Sequence, residues 1–350
     1  MQIIDKTDFR NNSPERMHSL FLEHGFSSQR IQNFKKAFRT QDVSDLAELS
    51  GVRNLAPILR FLPFRTLKEN ARVEDSEGNE KYVFETEDHV LVESVLMPSK
   101  REVSLCISVQ AGCRFGCRFC RTGKSGLRRS LMPYEMLEQV RQIYLHSISP
   151  KRLSCITFMG MGEPFDNLEN CRIAFDWMRT DWGFHVSAKK ITFSTIGALN
   201  WEAFFDFTSL PNLAVSLHSA NEEKRRWLMP RAGTPLARLK EHMIRYTART
   251  NKQISVEYCL FSGLNDTRDD ALELSDYLQG IPCKINLLNF NPVEMKCFQP
   301  VTEAKILEFK SWLKQRGFSV IYRKSLGKEI SAGCGQLGGS IIQPERNYEK

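Results

Sequence analysis

Short β-rich runs alternate with longer stretches of helical periodicity over most of the chain. The runs are LCISV (105–109), CITFMG (155–160), KITFST (190–195), LAVSLHS (213–219), ISVEYCLF (254–261) and KINLLNF (284–290). Helix-like segments such as Pro133–His146 and Leu168–Met178 lie between them. Six βα units of this kind predict a parallel sheet with helices outside. The first part of the chain reads differently. Ser13 and Pro14 open a helix through MHSLFLEHG, Gly25 stops it, and Ile31–Phe38 and Leu46–Phe61 carry further short apolar faces. From Leu67 to Ser99 the pattern becomes alternation, and KYVFETEDHVLVESVLMP predicts two strands about the polar turn Glu87–Asp88. The expected division is a helical segment over 1–68, a β-hairpin extension over 69–102, an α/β body over 103–325 and a C-terminal loop over 326–350.

In parallel α/β folds chemistry collects at the carboxyl ends of the strands. Those ends here carry Gly160–Glu163, Ser194–Thr195, Ser216–His218 and Asn289–Asn291, the polar groups a cofactor pocket needs. A chain of 350 residues that is 41% hydrophobic and 26% charged has the composition of a soluble globular protein. No signal pattern and no membrane-length apolar run is present, so a cytoplasmic location is expected, with no membrane partner. Ten cysteines in that compartment point to metal binding or catalysis rather than a disulfide framework.

The segment SLCISVQAGCRFGCRFCRTG concentrates that chemistry. Cys113, Cys117 and Cys120 stand in a Cys-x3-Cys-x2-Cys spacing, and Cys106 lies upstream in a predicted strand. A compact loop of three thiolates suits three corners of a [4Fe–4S] cluster and leaves the fourth iron open to a substrate. The rival reading is a structural zinc site with Cys106 or a distant fourth ligand, but zinc loops favour paired Cys-x2-Cys arms and one such pair exists here. The net charge of +8 adds little by itself. Its distribution adds more: Arg114, Arg118, Arg121, Lys124, Arg128 and Arg129 carry no acid among them, and Lys224, Arg225, Arg226 and Arg231 form a second group. Basic residues beside a cofactor loop favour phosphate contacts.

The cysteine spacing at the end of a first strand resembles the radical S-adenosylmethionine (SAM) superfamily. Within it the chain resembles the RlmN/Cfr family of RNA adenine methyltransferases, through VESVLMP, LCISVQAGCRFGCRFC, FMGMGEP, FSTIG, AVSLHS, INLLNFNP and AGCGQLGG, in order from Val92 to Gly339. The resemblance implies an α/β partial (βα)6 barrel preceded by a small helical RNA-binding domain. It implies a [4Fe–4S] cluster on Cys113, Cys117 and Cys120, and two SAM molecules per turnover. Cys334 then carries the methyl group, Cys106 closes a transient disulfide with it, and Glu93 accepts the ring proton. SAM contacts carried over are Gly162, Glu163, Ser194, Ser216, Leu217, His218 and Asn291, although His218 reads equally well as a packed histidine. Implied partners are 23S rRNA or tRNA and an electron donor such as a flavodoxin or ferredoxin, for a monomeric enzyme. Carbon 2 of adenine is preferred to carbon 8 as the commoner activity. RAGTP at 231–235, and Arg121 in CRTG, depart from the family pattern. Two other classes remain as alternatives: a different radical SAM enzyme, and a zinc-stabilised RNA-binding module without catalysis. Cys155, Cys259 and Cys283 read as buried hydrophobes, while Cys171 and Cys297 are unassigned.

Overall fold

The computed structural model describes residues 8–52, 55–59, 61–100, 102–147, 152–293 and 297–338, so Gly339 and the rest of the C-terminal segment lie outside the described residues. The first N-terminal helix begins where the sequence predicts. Ser13 caps α1 (Pro14–Glu23) with Pro14 in the first turn, and Ser27 caps α2 (Ser28–Thr40). Gly25 follows α1 at a φ of 74°, a conformation suited to glycine. The apolar stretch from Leu46 yields a 3-10 turn at Leu46–Glu48 and one helical turn, α3 (Ala56–Leu59).

A single ten-stranded sheet follows. Its first strands, β1 (Lys68–Glu74), β2 (Glu80–Glu85) and β3 (Leu91–Pro98), are antiparallel, and β3 pairs antiparallel with β4 (Glu102–Cys106). The expected hairpin is therefore the inner part of a three-stranded extension. β1 alternates between exposed and half-buried positions, so it gives no apolar signal to read. The strand expected at 105–109 lies earlier, because antiparallel pairing with β3 begins at Val103 opposite Pro98. Beyond Cys106 the backbone still follows its neighbour, with Ile107 N–H donating to Thr157 and Val109 N–H to Met161.

A separate hairpin of β5 (Gln110–Gly112) and β6 (Leu127–Ser130) comes next, with the one-turn helix α4 (Arg121–Lys124) between its strands. The body then alternates. In order it runs α5 (Pro133–His146), β7 (Arg152–Phe158), α6 (Leu168–Arg179), β8 (Ile191–Thr195), α7 (Trp201–Phe205) and β9 (Asn212–Ser216). It continues with α8 (Glu222–Leu228), α9 (Leu236–Thr250), β10 (Ile254–Leu260), α10 (Arg268–Leu278), β11 (Cys283–Asn289), α11 (Glu303–Gln315) and β12 (Ser319–Tyr322). Strands β4, β7, β8, β9, β10, β11 and β12 are parallel neighbours in that order. The six predicted βα strands are all present, and β12 adds a seventh. Only Val320 of β12 is buried, so four residues with one apolar anchor escaped the alternation test.

The N-terminal helices share the apolar core of this body. Phe9 meets Trp177 edge-on at 5.7 Å and Phe21 meets Trp182 at 5.3 Å. Beneath them Arg10 binds Asp8 and Glu138, and Arg141 binds Glu138, all four side chains being buried. No described helix is long and apolar enough to cross a membrane.

Candidate functional site

Parallel strands deliver their carboxyl ends to one side, and the hairpin fixes the cysteine loop there. Cys113 N–H donates to the Gly126 carbonyl at 2.9 Å, closing the stem of the loop. Gly112 adopts a φ of 82°, and a Cβ there would lie 1.8 Å from the Gly126 oxygen, so the closure requires glycine. Two further backbone bonds lash the loop down: Arg118 N–H to Leu228 at the end of α8, and Arg121 N–H to Gly335 beside Cys334.

The loop caps a cavity lined by Cys113, Cys117, Cys120, Gly162, Glu163, Ser194, Ser216, His218, Asn291 and Cys334, among others. Of the predicted cofactor contacts, Leu217 alone turns away, into the core. Gly160 and Gly162 border the cavity, but the close approach they permit is to protein. A Cβ on Gly160 would stand 2.7 Å from the Ile107 carbonyl, and one on Gly162 2.5 Å from the Gln110 side chain. Their absent side chains let the end of β7 lie against residues 107–110.

A second cavity holds Cys106 together with Thr157, Met159, Arg323 and the 332–335 segment. Cys120, Cys334 and Arg323 line both cavities, so Cys334 stands between the cysteine trio and Cys106. Glu93 borders neither. Its carboxylate is buried on β3, 3.8 Å from the ammonium of Lys81.

The electrostatics separate these groups. Burial pushes the Cys113 thiol up to about 12, and raises Cys117 and Cys120, so the trio favours neutral thiols unless a cation compensates the charge. Burial and then Cys334 push Cys106 up to about 12, while burial raises Cys334 and the Arg323 charge opposes it. Glu163 is pushed up to about 7 by burial, although it accepts 3.0 Å hydrogen bonds from Phe165 N–H and Ile196 N–H. His218 is held down to about 3 by burial and the Arg225 charge, and its Nδ1 accepts from Cys259 N–H at 3.0 Å. The histidine is therefore neutral, packed and on the cavity wall at once.

These residues fit a cluster and a polar organic ligand. Three thiols ring one cavity, the chemistry iron–sulfur ligation demands. No three His, Cys, Asp or Glu side chains among the described residues are drawn in to the spacing of a single ion. Two polar atoms are buried here without a hydrogen-bond partner, Asn291 Oδ1 and Arg225 Nε. Asn291 Nδ2 is used, donating to the Cys334 carbonyl at 3.2 Å. Buried polar atoms left unmatched within the protein mark a place where a ligand supplies the match.

Sequence reasoning missed two residues that the fold brings to this region, Arg323 and Lys81, and named a third, Arg225, only as one of a basic group. Arg225 lay within a basic run that also reads as a solvated face, and its burial comes from α8 docking on the cysteine loop. Some of the basic residues read in sequence are paired with acids through space. Arg114 binds Asp166, Arg129 binds Asp88 and Glu135, and Lys224 binds Asp270. Lys124 and Arg128 are exposed with no ion pair to a described residue. Beside the loop Arg118 lies 4.9 Å from the ring of the half-exposed Trp227. Phe115 is buried and Phe119 packs edge-on against His218, so both rings belong to the cavity wall.

The profile of the radical SAM superfamily matches residues 107–275. A protein of Cytophaga hutchinsonii named as a probable dual-specificity RNA methyltransferase RlmN is 34% identical over 95% of this chain and 93% of its own length. The dual-specificity RNA methyltransferase RlmN of Syntrophus aciditrophicus is 33% identical over 97% of this chain and 99% of its own. Among solved structures, a radical SAM methyltransferase from Sphaerobacter thermophilus superposes with a TM-score of 0.86 at 30% identity, covering 94% of this chain and 98% of that one.

Proposed function

Since the chain belongs to the RlmN family of radical SAM methyltransferases, we propose that it methylates an aromatic carbon of adenine in RNA, carbon 2 in preference to carbon 8, in 23S rRNA or tRNA. The observation that carries the mechanism is the placement of Cys334 on both cavities, facing the cysteine trio on one side and sharing the other with Cys106. Adenine carbons 2 and 8 lie between ring nitrogens and attack an electrophilic methyl poorly. A bound [4Fe–4S] cluster on Cys113, Cys117 and Cys120, with SAM, would supply the radical chemistry that avoids this difficulty. Asn291, Ser194, Ser216 and Glu163 then hold SAM on the strand ends, with Glu163 offering a carboxylate to its ammonium.

The protein's own residues divide the remaining work. The Cys334 thiolate takes a methyl group from one SAM, its S–C bond forming as the sulfonium S–CH3 bond breaks. After loss of a hydrogen atom to the radical chemistry, that carbon joins the adenine ring, linking protein and RNA covalently. The addition leaves one unpaired electron on the ring, which the oxidised cluster held by Cys113, Cys117 and Cys120 would take back, while the ring proton passes to the Glu93 carboxylate and the C–H electron pair stays in the ring. The Cys106 thiolate attacks Cys334 sulfur: an S–S bond forms, the S–CH2 bond breaks, and its pair takes a proton to complete the methyl group. Arg323 lies on the Cys106–Cys334 cavity and favours the thiolate at each of these sulfurs. Lys124, Arg128 and the Arg118–Trp227 pair face the polynucleotide, with the N-terminal helices adding to that surface. A flavodoxin or ferredoxin returns the electrons, and the enzyme works as a cytoplasmic monomer.

The test is to reconstitute the protein anaerobically, incubate it with methyl-labelled SAM, digest it and locate the label. Label on the Cys334 peptide is expected, and an unlabelled Cys334 with an intact cluster sinks the mechanism. Cys106→Ala is expected to trap protein crosslinked to RNA, and Cys334→Ala to give neither crosslink nor product. Mass spectrometry of modified adenosine in rRNA and tRNA identifies the carbon and the substrate.

A further inference from the structure

A fully buried lysine is rare in a soluble protein, and Lys81 is one. Its position follows from strand register. Lys81 on β2 pairs with Val95 on β3, and Val95 pairs with Cys106 on β4. Paired residues project to the same face of a sheet, and Glu93, two positions from Val95, projects there as well. Lys81, Glu93 and Cys106 therefore share the face on which Ala332 and Leu337 of the C-terminal loop pack.

The Lys81 ammonium lies 3.8 Å from the Glu93 carboxylate and donates to the Ser331 carbonyl at 3.3 Å. Ser331 stands three residues before Cys334 and adopts a φ of 50°, a left-handed conformation unfavourable for a residue with a Cβ. Around it the loop is folded on itself, Ala332 N–H donating to Gly327 and Gly333 N–H to Gln336 Oε1. We propose that Lys81 is a positioning residue whose ammonium, shared between Glu93 and the Ser331 carbonyl, holds the Cys334 loop in register with the proton-accepting carboxylate. Burial weakens the hold of Lys81 on its proton, the Glu93 charge opposes that, and the Arg121 charge adds to burial. The ammonium thus depends on the carboxylate it positions.

The inference rests on the proposed roles of Cys334 and Glu93 for its catalytic consequence, and on geometry alone for the tether. Hydrogen–deuterium exchange over residues 327–337 of the cluster-loaded full chain reads the tether independently of activity. Lys81→Met is expected to raise exchange there roughly tenfold. It should lower kcat for RNA methylation by a comparable factor and leave KM for RNA unchanged, because the buried ammonium cannot touch the polynucleotide. If Lys81→Met fails to fold, Lys81→Gln, which has no charge and less reach, gives the same reading. Exchange and kcat equal to those of the parent overturn the proposal. The double variant Lys81→Met/Glu93→Gln separates a lost tether from an uncompensated buried carboxylate. Exchange that stays raised in it supports the tether, and exchange that returns to the parent level overturns it. An unlabelled Cys334 in the parent would sink the underlying mechanism while leaving the exchange comparison valid.

Discussion

Glu138 and Glu163 are both buried glutamates, and their carboxylates are shifted in opposite directions. Glu138, on α5 beneath the N-terminal helices, is held below the usual range because Arg10 and Arg141 outweigh the burial that would raise it. Glu163, at the end of β7, has backbone N–H donors and no cation at hydrogen-bond distance among the described residues, and burial lifts it to about 7. The first belongs to a closed network in which each charge is answered within the chain. The second faces a cavity whose wall also holds an unmatched Asn291 oxygen, with the unmatched Arg225 nitrogen nearby. Buried charge serves architecture where the protein completes the pairing, and serves binding where it leaves the pairing to a ligand.

The widest separation between the two regions is expected in activity. Replacing any one of Cys113, Cys117 or Cys120 by serine should remove bound iron and abolish methyl transfer, while the unfolding midpoint of the cluster-free protein stays unchanged. Iron analysis with denaturant unfolding checks this, and a large fall in that midpoint would erase the distinction. Next comes the seam. Arg10→Met takes the cation from the buried Asp8 carboxylate, leaves Glu138 with Arg141 alone, and should destabilise the fold by about 3–5 kcal/mol, measured by denaturant unfolding. A near-neutral result would mean that aromatic packing around Phe9 and Trp177 alone holds the N-terminal helices.

The pH dependence should run in opposite senses. The Glu138 carboxylate is depressed, so its contribution is present above the ordinary glutamate value of 4.5 and is lost as pH falls through its lower folded value. The Glu163 carboxylate is raised from 4.5 to about 7, so its contribution is complete below 4.5 and is lost as pH rises through about 7. Across that window the cluster-free protein should lose up to about 3 kcal/mol of stability from this group. Glu163→Gln should flatten that part of the curve, and an unaltered curve would show that the two carboxylates do not differ as described. The smallest effect on stability belongs to the surface. Lys124→Glu and Arg128→Glu should change folding by no more than about 0.5 kcal/mol. They should weaken RNA binding and reduce its salt dependence by roughly one counterion per lost phosphate contact.

Much of this was legible in the residues. The six parallel strands appear as apolar runs because strands covered by helices leave few polar positions to obscure them. The Cys-x3-Cys-x2-Cys loop was legible because its ligands lie close together in the chain. β1 and β12 were not, since a strand with few buried positions carries little apolar signal. The pairing of Arg114 with Asp166 and of Arg129 with Asp88 was not legible in the basic run at 114–129, because those acids come from distant segments.

The sequence by itself determined the alternating βα body, the cysteine loop and the membership in a family whose motifs run in order along the chain. Tertiary structure decided which charges are closed and which are open. It turned Leu217 into the core, committed Gly160 and Gly162 to close contact with residues 107–110, and stacked Lys81, Val95 and Cys106 in one row under the Cys334 loop. Those relations depend on strand register and on contacts between segments far apart in the chain. Local periodicity carries no record of them, because the energy of a buried charge is set by whichever group folding brings beside it.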